Sequence, residues 1–226
     1  VPFPGGKTPT GSPKVGPATG SAKAGRLPWA RADSVSITWR DQLDGRIPNH
    51  SGLEAVEVHL VPVGDGGRLQ VSELAALGRT LPDHGRQTQI FTSTEAVDSH
   101  ADGKVALATA KASDRTSGLA LTRNGQRTAW ASLPRDMFAI LDPDHLPGQV
   151  ATLLRALASL DAPTTEFVVP AVGIEPAGML SLGRVGEQRS TWQMGLTMPA
   201  HLRPAAEDAL PAAFLGPRLD DIAAEL

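Results

Sequence analysis

Histidine and carboxylate side chains, which most often perform acid–base chemistry, come close together at one point of this sequence. Glu57 and His59 are two residues apart in the segment 53–63, whose alternating apolar residues indicate a β-strand. Side chains at i and i+2 of a strand lie on the same face, so these two would be neighbours. Such a pair can exchange protons with a substrate, and Glu175 is a further acid that a cleft could add. An exposed polar strand face explains the same residues without catalysis.

Three arginines lie in or beside one predicted hairpin: Arg115, Arg123 and Arg127. Arg123 and Arg127 flank the dipeptide Asn124-Gly125, which predicts a two-residue turn of type I′. Guanidinium groups bind phosphate and carboxylate through paired hydrogen bonds. The three arginines are therefore a candidate contact for an anion or an acidic partner, and solvated turn residues are the alternative.

The familiar catalytic and metal-binding motifs are missing or incomplete. The stretch 5–8 (GGKT) matches the end of a phosphate-binding loop, but the first glycine of that motif would fall at Val1. The stretch 98–103 resembles part of a calcium-binding loop, but Thr109 stands where its final glutamate is expected. The chain has no cysteine, no zinc-hydrolase histidine spacing and no G-x-S-x-G nucleophile elbow. The sequence therefore assigns no catalytic residue, metal or cofactor.

Charge and composition divide the 226 residues into two parts. Residues 1–32 contain five basic and no acidic side chains, with six glycines and six prolines. Residues 33–226 hold the other 16 basic residues and all 24 acidic ones, so the net charge of −3 combines a basic tail with an acidic body. A Gly/Pro-rich segment cannot bury enough apolar surface to offset its ordering entropy. We expect 1–32 to be a disordered basic linker or tail and 33–226 to be one folded domain.

Hydrophobic periodicity predicts the elements of the body. One helix is expected to follow Ser72 and to stop at Pro82, and a second to run from Asp142 to about Leu160. The segment 87–97 is expected to be extended, 98–103 to turn the chain, and 219–226 to form a short terminal helix. The predicted strands are 34–39, 53–63, 104–110, 118–123, 126–132, 166–170 and 191–197.

The order of these elements indicates the fold class. Strands come in sequence-adjacent groups with two main helices, and they do not alternate strictly with helices. This pattern favours an α+β domain with a mostly antiparallel or mixed sheet.

Three stretches of the body resemble a known bacterial family. They are 118–130 (GLALTRNGQRTAW), 133–136 (LPRD) and 170–176 (PAVGIEP). They are similar to the region after the N-terminal module in Schlafen-like (AlbA-type) ATP-binding or DNA-binding proteins of high-GC bacteria. The resemblance covers residues 34–226 and implies a downstream accessory domain. The module that would bind ATP or nucleic acid is not visible in this chain, so no functional residue is carried over.

The sequence thus leaves three hypotheses for function. The first is a non-catalytic interaction or sensor module, an accessory C-terminal domain of a Schlafen-like regulatory protein, whose partner would be an N-terminal module of the same polypeptide or another protein. The second is an enzyme of unrecognised type with a Glu/His site. The third is weak nucleic-acid binding through the tail and the hairpin arginines. No secretory signal or membrane-length apolar run is visible, which favours a cytoplasmic protein.

Overall fold

A computed structural model describes residues 26–32, 35–43, 53–64, 68–112, 114–163, 165–177, 180–187, 202–203 and 208–226. Its helices are α1 (Val71–Gln87), α2 (Leu146–Ala158) and α3 (Leu219–Glu225). Short 3-10 turns cover Arg40–Gln42 and Ala212–Leu215. The strands are β1 (Ala30–Arg31), β2 (Ala55–Pro62), β3 (Val97–Ala101), β4 (Val105–Lys111), β5 (Thr116–Thr122), β6 (Arg127–Ser132), β7 (Ala139–Leu141), β8 (Phe167–Glu175), β9 (Leu180–Leu182) and β10 (Asp208–Pro211).

Eight of these strands form one antiparallel sheet in the order β1-β10-β8-β2-β6-β5-β4-β3. Strands β7 and β9 form a separate parallel pair. Strand β2 lies at the centre of the large sheet, between β6 and β8. The predicted α+β class, with a mostly antiparallel sheet and two main helices, is confirmed.

The two faces of the sheet are covered differently, and β2 shows this residue by residue. Val56, Val58 and Leu60 belong to the main hydrophobic cluster, which also contains the buried leucines of α1 and α2. The intervening residues Glu57 and His59 point to the opposite face, as the period of two requires. That second face is covered by chain from the N-terminal region, and it carries the polar groups described below.

Helix α1 continues five residues past Pro82, where the sequence predicted its end. Proline lacks the N–H that would bond to the carbonyl of Gly78, and an internal proline costs about 3 kcal/mol. Close packing keeps the helix intact. A Cβ on Gly78 would lie 2.7 Å from the Ala101 side chain, and one on Gly85 would lie 2.3 Å from the Phe91 ring. None of the described helices is long and apolar enough to cross a membrane.

Other local expectations also changed or lie outside the described residues. Residues 26–32 belong to the predicted disordered segment, yet Leu27 is buried and Ala30–Arg31 pairs with β10. The segment 35–39 is not a strand, although the sequence predicted one over 34–39. Much of 98–103 is strand β3, where a turn was predicted. Residues 1–25 and the predicted strand 191–197 lie outside the described part of the chain.

Candidate functional site

Residues 35–43, which we call the strap, cross the sheet on the face opposite the helices. Gln126 fixes the middle of the strap by bonding both backbone groups of one residue, Thr38. The N–H of Thr38 donates to Oε1 of Gln126 (2.9 Å), and Nε2 of Gln126 donates to the carbonyl of Thr38 (2.7 Å). The N–H of Trp39 donates to Oε1 of Gln42 (3.0 Å). Side chains therefore satisfy backbone groups that a strand would have paired with a neighbouring strand, which explains why the alternating sequence 34–39 does not form a strand.

A buried ion pair anchors the strap one residue further along. The backbone N–H of Arg40 donates to Oε2 of Glu57 (3.2 Å), and Nε of Arg40 lies 3.1 Å from Oε1 of the same carboxylate. Nη2 of Arg40 donates to the carbonyl of Glu175 (2.9 Å). The Glu57 side chain is completely buried and that of Arg40 is 7% exposed. The Coulomb attraction and these hydrogen bonds oppose the cost of removing both charges from water.

His59 links this carboxylate to the next strand. Its Nδ1 lies 3.0 Å from Oγ1 of Thr128, and its Nε2 lies 3.6 Å from Oε2 of Glu57. The ring of Trp39 meets the imidazole edge-on, with centroids 4.7 Å apart. A hydroxyl, an imidazole and a carboxylate in this order have the connectivity of a nucleophilic triad. Here all three side chains are buried, so the arrangement holds the strap to the sheet.

This geometry corrects one interpretation of the sequence. Glu57 and His59 do lie on the same strand face and contact each other, but they do not form an exposed polar face. The strap covers them because β2 is a central strand. We call Arg40, Glu57, His59, Gln126 and Thr128 the buried polar cluster.

Glu175, the third candidate acid, lies in an ion pair at the edge of the strap. Arg203 contacts the carboxylates of both Glu175 and Asp41, and its guanidinium lies 5.0 Å from the ring centroid of Trp39. Burial alone lowers the pKa of Arg203, but the hydrogen bonds that it donates to the two carboxylates, and their negative charges, reverse this effect and raise the pKa above its ordinary value. Glu175 therefore contributes to holding the strap.

A pocket of about 470 Å³ opens beside the other end of the strap. Three of its lining residues are basic: Arg68, Lys104 and Arg123. None of the described residues that line it is acidic. We call it the cationic pocket. Its remaining lining residues are Thr38, Gln42, Leu43, Gly103, Val105, Thr122 and Asn124.

Hydrogen bonds between loops bring the backbones of these three basic residues to the same side of the pocket. The N–H of Arg123 donates to the carbonyl of Lys104 (2.7 Å), and the N–H of Leu69 donates to the carbonyl of Arg123 (3.0 Å). Nε of Arg123 also donates to the carbonyl of Leu69 (3.3 Å). Oδ1 of Asp102 accepts the N–H groups of Lys104 (2.7 Å) and Val105 (2.9 Å), which shapes the turn that carries Lys104.

The hairpin that carries Arg123 is confirmed, but its turn differs from the prediction. Leu121 pairs with Arg127, and the N–H of Thr122 donates to the carbonyl of Gln126, which leaves a loop of three residues. Only Gly125 of that loop has a positive φ, of 84°. This is a type I turn followed by a left-handed glycine, the usual three-residue hairpin. The sequence signal Asn-Gly predicted the hairpin correctly and its loop length wrongly.

The three arginines of the sequence analysis do not form one patch. Arg123 lines the cationic pocket, whereas Arg115 pairs with Glu95 at 2.8 Å. Arg127 is buried and donates to the carbonyls of Leu157 (3.1 Å), Ala162 (3.0 Å) and Pro163 (3.3 Å). Burial lowers the pKa of Arg127, and the nearby carboxylate of Asp161 partly opposes that effect. Arg127 therefore holds the C-terminal end of α2 to the sheet and is not a contact for a ligand.

The calcium-like stretch does not form a metal site within the described part of the chain. Asp98 and His100 lie on strand β3, and Asp102 caps the following turn. The described residues contain no group of three or more His, Asp and Glu side chains that could hold a metal ion.

Sequence reasoning missed two members of the cationic pocket, Arg68 and Lys104. They stand 36 residues apart, and neither has a distinctive local motif. Only the pairing of β4 with β5 and the hydrogen bonds of Leu69 bring them together with Arg123. Comparison with protein-family models, with curated proteins and with solved structures finds no match for this chain.

Proposed function

We propose that this chain is a non-catalytic interaction module that recognises an anionic group in the cationic pocket. The observation that carries this proposal is the convergence of Arg68, Lys104 and Arg123 on one concavity. Guanidinium and ammonium groups that line one concavity can offer an anion charge-assisted hydrogen bonds. Hydrogen bonds between the loops fix the backbone at these positions without a ligand, which lowers the ordering cost of binding.

The overall charge of the chain favours anion binding in the pocket over binding elsewhere on the surface. The net charge of the chain is −3, so an anion is not attracted to the surface as a whole. A concave site lined by one sign of charge focuses the field and concentrates counter-ions locally. We therefore expect binding at one site that weakens as the salt concentration rises.

The buried polar cluster supports a non-catalytic role. Glu57 and His59 are completely buried, and neither belongs to the lining of the cationic pocket. A catalytic pair has to reach the substrate, directly or through one water molecule. Two alternatives stay predictions: an enzyme with a Glu/His site, and weak nucleic-acid binding. No contact among the described residues favours either of them.

Isothermal titration calorimetry with pyrophosphate at low salt tests the proposal. We expect binding by the unmodified chain, and an affinity at least tenfold lower for Arg123→Gln. Arg115→Gln is the matched control, because Arg115 lies outside the pocket lining and pairs with Glu95. Equal affinity of all three proteins, or no binding at all, would contradict the proposal.

We also propose that the module acts in the cytoplasm as an accessory domain beside a Schlafen-like regulatory module. The support is the resemblance of the stretches 118–130, 133–136 and 170–176. The coding sequence upstream of Val1 tests this part. A Schlafen-like module encoded there would support it, and an unrelated domain would contradict it.

A further inference from the structure

The cationic pocket is much larger than an inorganic anion, and its walls are not uniformly charged. Its volume of about 470 Å³ falls in the range of sites that enclose small organic molecules. We infer that its ligand is a small organic phosphate, with the phosphate against the three cations and the organic body against Leu43 and Val105. This inference rests on the proposed function and names the ligand class of the same site.

The charge of the cations favours a phosphate over a carboxylate. Arg68 and Arg123 bring two guanidinium groups to the lining, and Lys104 adds an ammonium group. A phosphate monoester carries about −1.5 to −2 at neutral pH and offers three acceptor oxygens, whereas one carboxylate carries a single charge. The described hydrogen bonds of the Arg123 side chain use only Nε, so its two terminal nitrogens can form a paired contact with phosphate oxygens.

The apolar part of the lining suits an organic body. Leu43 and Val105 are only 4% exposed, and both belong to the hydrophobic cluster around Trp130 on this face of the sheet. Thr122 and Asn124 line the same concavity and add a hydroxyl and an amide for polar substituents. This mixture of apolar wall and few polar groups is typical of small-molecule sites.

The strap gives this wall its fixed position. Thr38, Gln42 and Leu43 belong both to the strap and to the pocket lining. The two hydrogen bonds between Gln126 and the backbone of Thr38 attach this part of the lining to the sheet. A wall held in place before binding lowers the ordering cost that a ligand must offset.

Calorimetry with five probes tests the inference on the full chain: inorganic phosphate, citrate, phenol, phenyl phosphate and glucose 6-phosphate. We expect at least one of the two phosphate esters to bind ten times more tightly than inorganic phosphate and citrate, and phenol not to bind. Arg123→Gln should weaken the esters and inorganic phosphate alike. Val105→Thr should weaken phenyl phosphate by at least threefold and leave inorganic phosphate unchanged.

Because Val105 is buried, thermal unfolding should first show that Val105→Thr is folded. Asn124→Ala is a second variant at an exposed turn position, and it should weaken glucose 6-phosphate more than inorganic phosphate. If inorganic phosphate or citrate binds as tightly as both esters, the inference is overturned while the proposed function stands. If no probe binds, or if binding does not depend on Arg123, the proposed function and the inference both fail.

Discussion

The substitution Glu57→Gln would disrupt the buried ion pair between Arg40 and Glu57. Glutamine has nearly the same shape as glutamate, but it offers one acceptor and one amide donor. Oε1 and Oε2 of Glu57 each face a donor of Arg40, Nε at 3.1 Å and the backbone N–H at 3.2 Å. Whichever way the amide is turned, its NH₂ group meets one of these donors. The substitution thus removes the negative charge and leaves one donor of Arg40 facing an NH₂ group instead of an acceptor.

The expected loss of stability is about 3 kcal/mol, at the lower end of the values for breaking a buried ion pair, because glutamine keeps one hydrogen bond. In a chain of this length that loss corresponds to a fall in Tm of about 6 to 12 °C. Unfolding in urea, followed by tryptophan fluorescence, measures the change in free energy. Trp39 lies in the strap, so its emission should also shift if the strap loosens.

Two comparisons make this experiment decisive. Asp220→Asn is the matched control, because Asp220 pairs with Arg155 on the surface (3.0 Å, side chains 82% and 56% exposed) and should cost less than about 0.5 kcal/mol. Arg40→Met combined with Glu57→Gln should cost at least about 1 kcal/mol less than the sum of the single variants, since removing both partners leaves no unpaired buried charge. The reasoning would be refuted if Glu57→Gln unfolded within about 1 kcal/mol of the unmodified protein.

Three further predictions concern other parts of the fold. Arg127→Met should lower the free energy of unfolding by about 3 kcal/mol because three carbonyls lose a charged donor, whereas Arg155→Met should change it by less than about 0.5 kcal/mol; urea unfolding compares the two. Gly118→Ala should destabilise strongly because its Cβ would lie 2.0 Å from an indole carbon, while Gly148→Ala, open within α2, should raise Tm slightly; stability of Gly118→Ala equal to that of the unmodified chain would refute the packing argument. Backbone N–H groups lower the pKa of Asp142, so the stability that its carboxylate contributes is fully present above about pH 4 and is lost as the pH falls through the lowered pKa. Asp142→Asn should therefore reduce the free energy of unfolding at pH 7 and make that free energy decline less steeply below pH 4. An unchanged slope would count against this reasoning.

Most of the strands and helices could be predicted from the sequence, but the segments that pack over them could not. Alternation predicted β2 and placed Glu57 and His59 on one face, because strand periodicity is a local property. Whether that face meets solvent depends on the strap, whose contact between Thr38 and Gln126 joins residues 88 positions apart. No local pattern records such a contact. The sequence alone was therefore compatible with Glu57 and His59 as an exposed pair or a catalytic site, whereas in the structure they are buried and hold the strap to the sheet.

The candidate site shows the same limit more strongly. Arg123 was singled out because it stands beside a turn with a clear sequence signal. Arg68 and Lys104 stand in ordinary loop sequence, and the pairing of β4 with β5 together with the hydrogen bonds between Leu69 and Arg123 brings them near Arg123. Arg127 looked equivalent to Arg123 because a turn flanked by two arginines does not reveal which face each one occupies. Tertiary packing turned Arg127 towards α2 and left Arg123 in the pocket.

The strand order has a consequence for how the chain is made. Strands β2 to β6, five of the eight strands of the sheet, are complete by residue 132 and can pair while the following residues are still being synthesised. Strand β1, by contrast, pairs with β10, and its residue Ala30 lies opposite Ala209, which comes 179 positions later in the chain. Strand β1 is therefore made before β2 but can be fixed in the sheet only long after β2 to β6 have paired. Until β8 arrives, β2 is paired with β6 but its other edge is open to other nascent chains, so release before residue 175 would leave this central strand unpaired on one side.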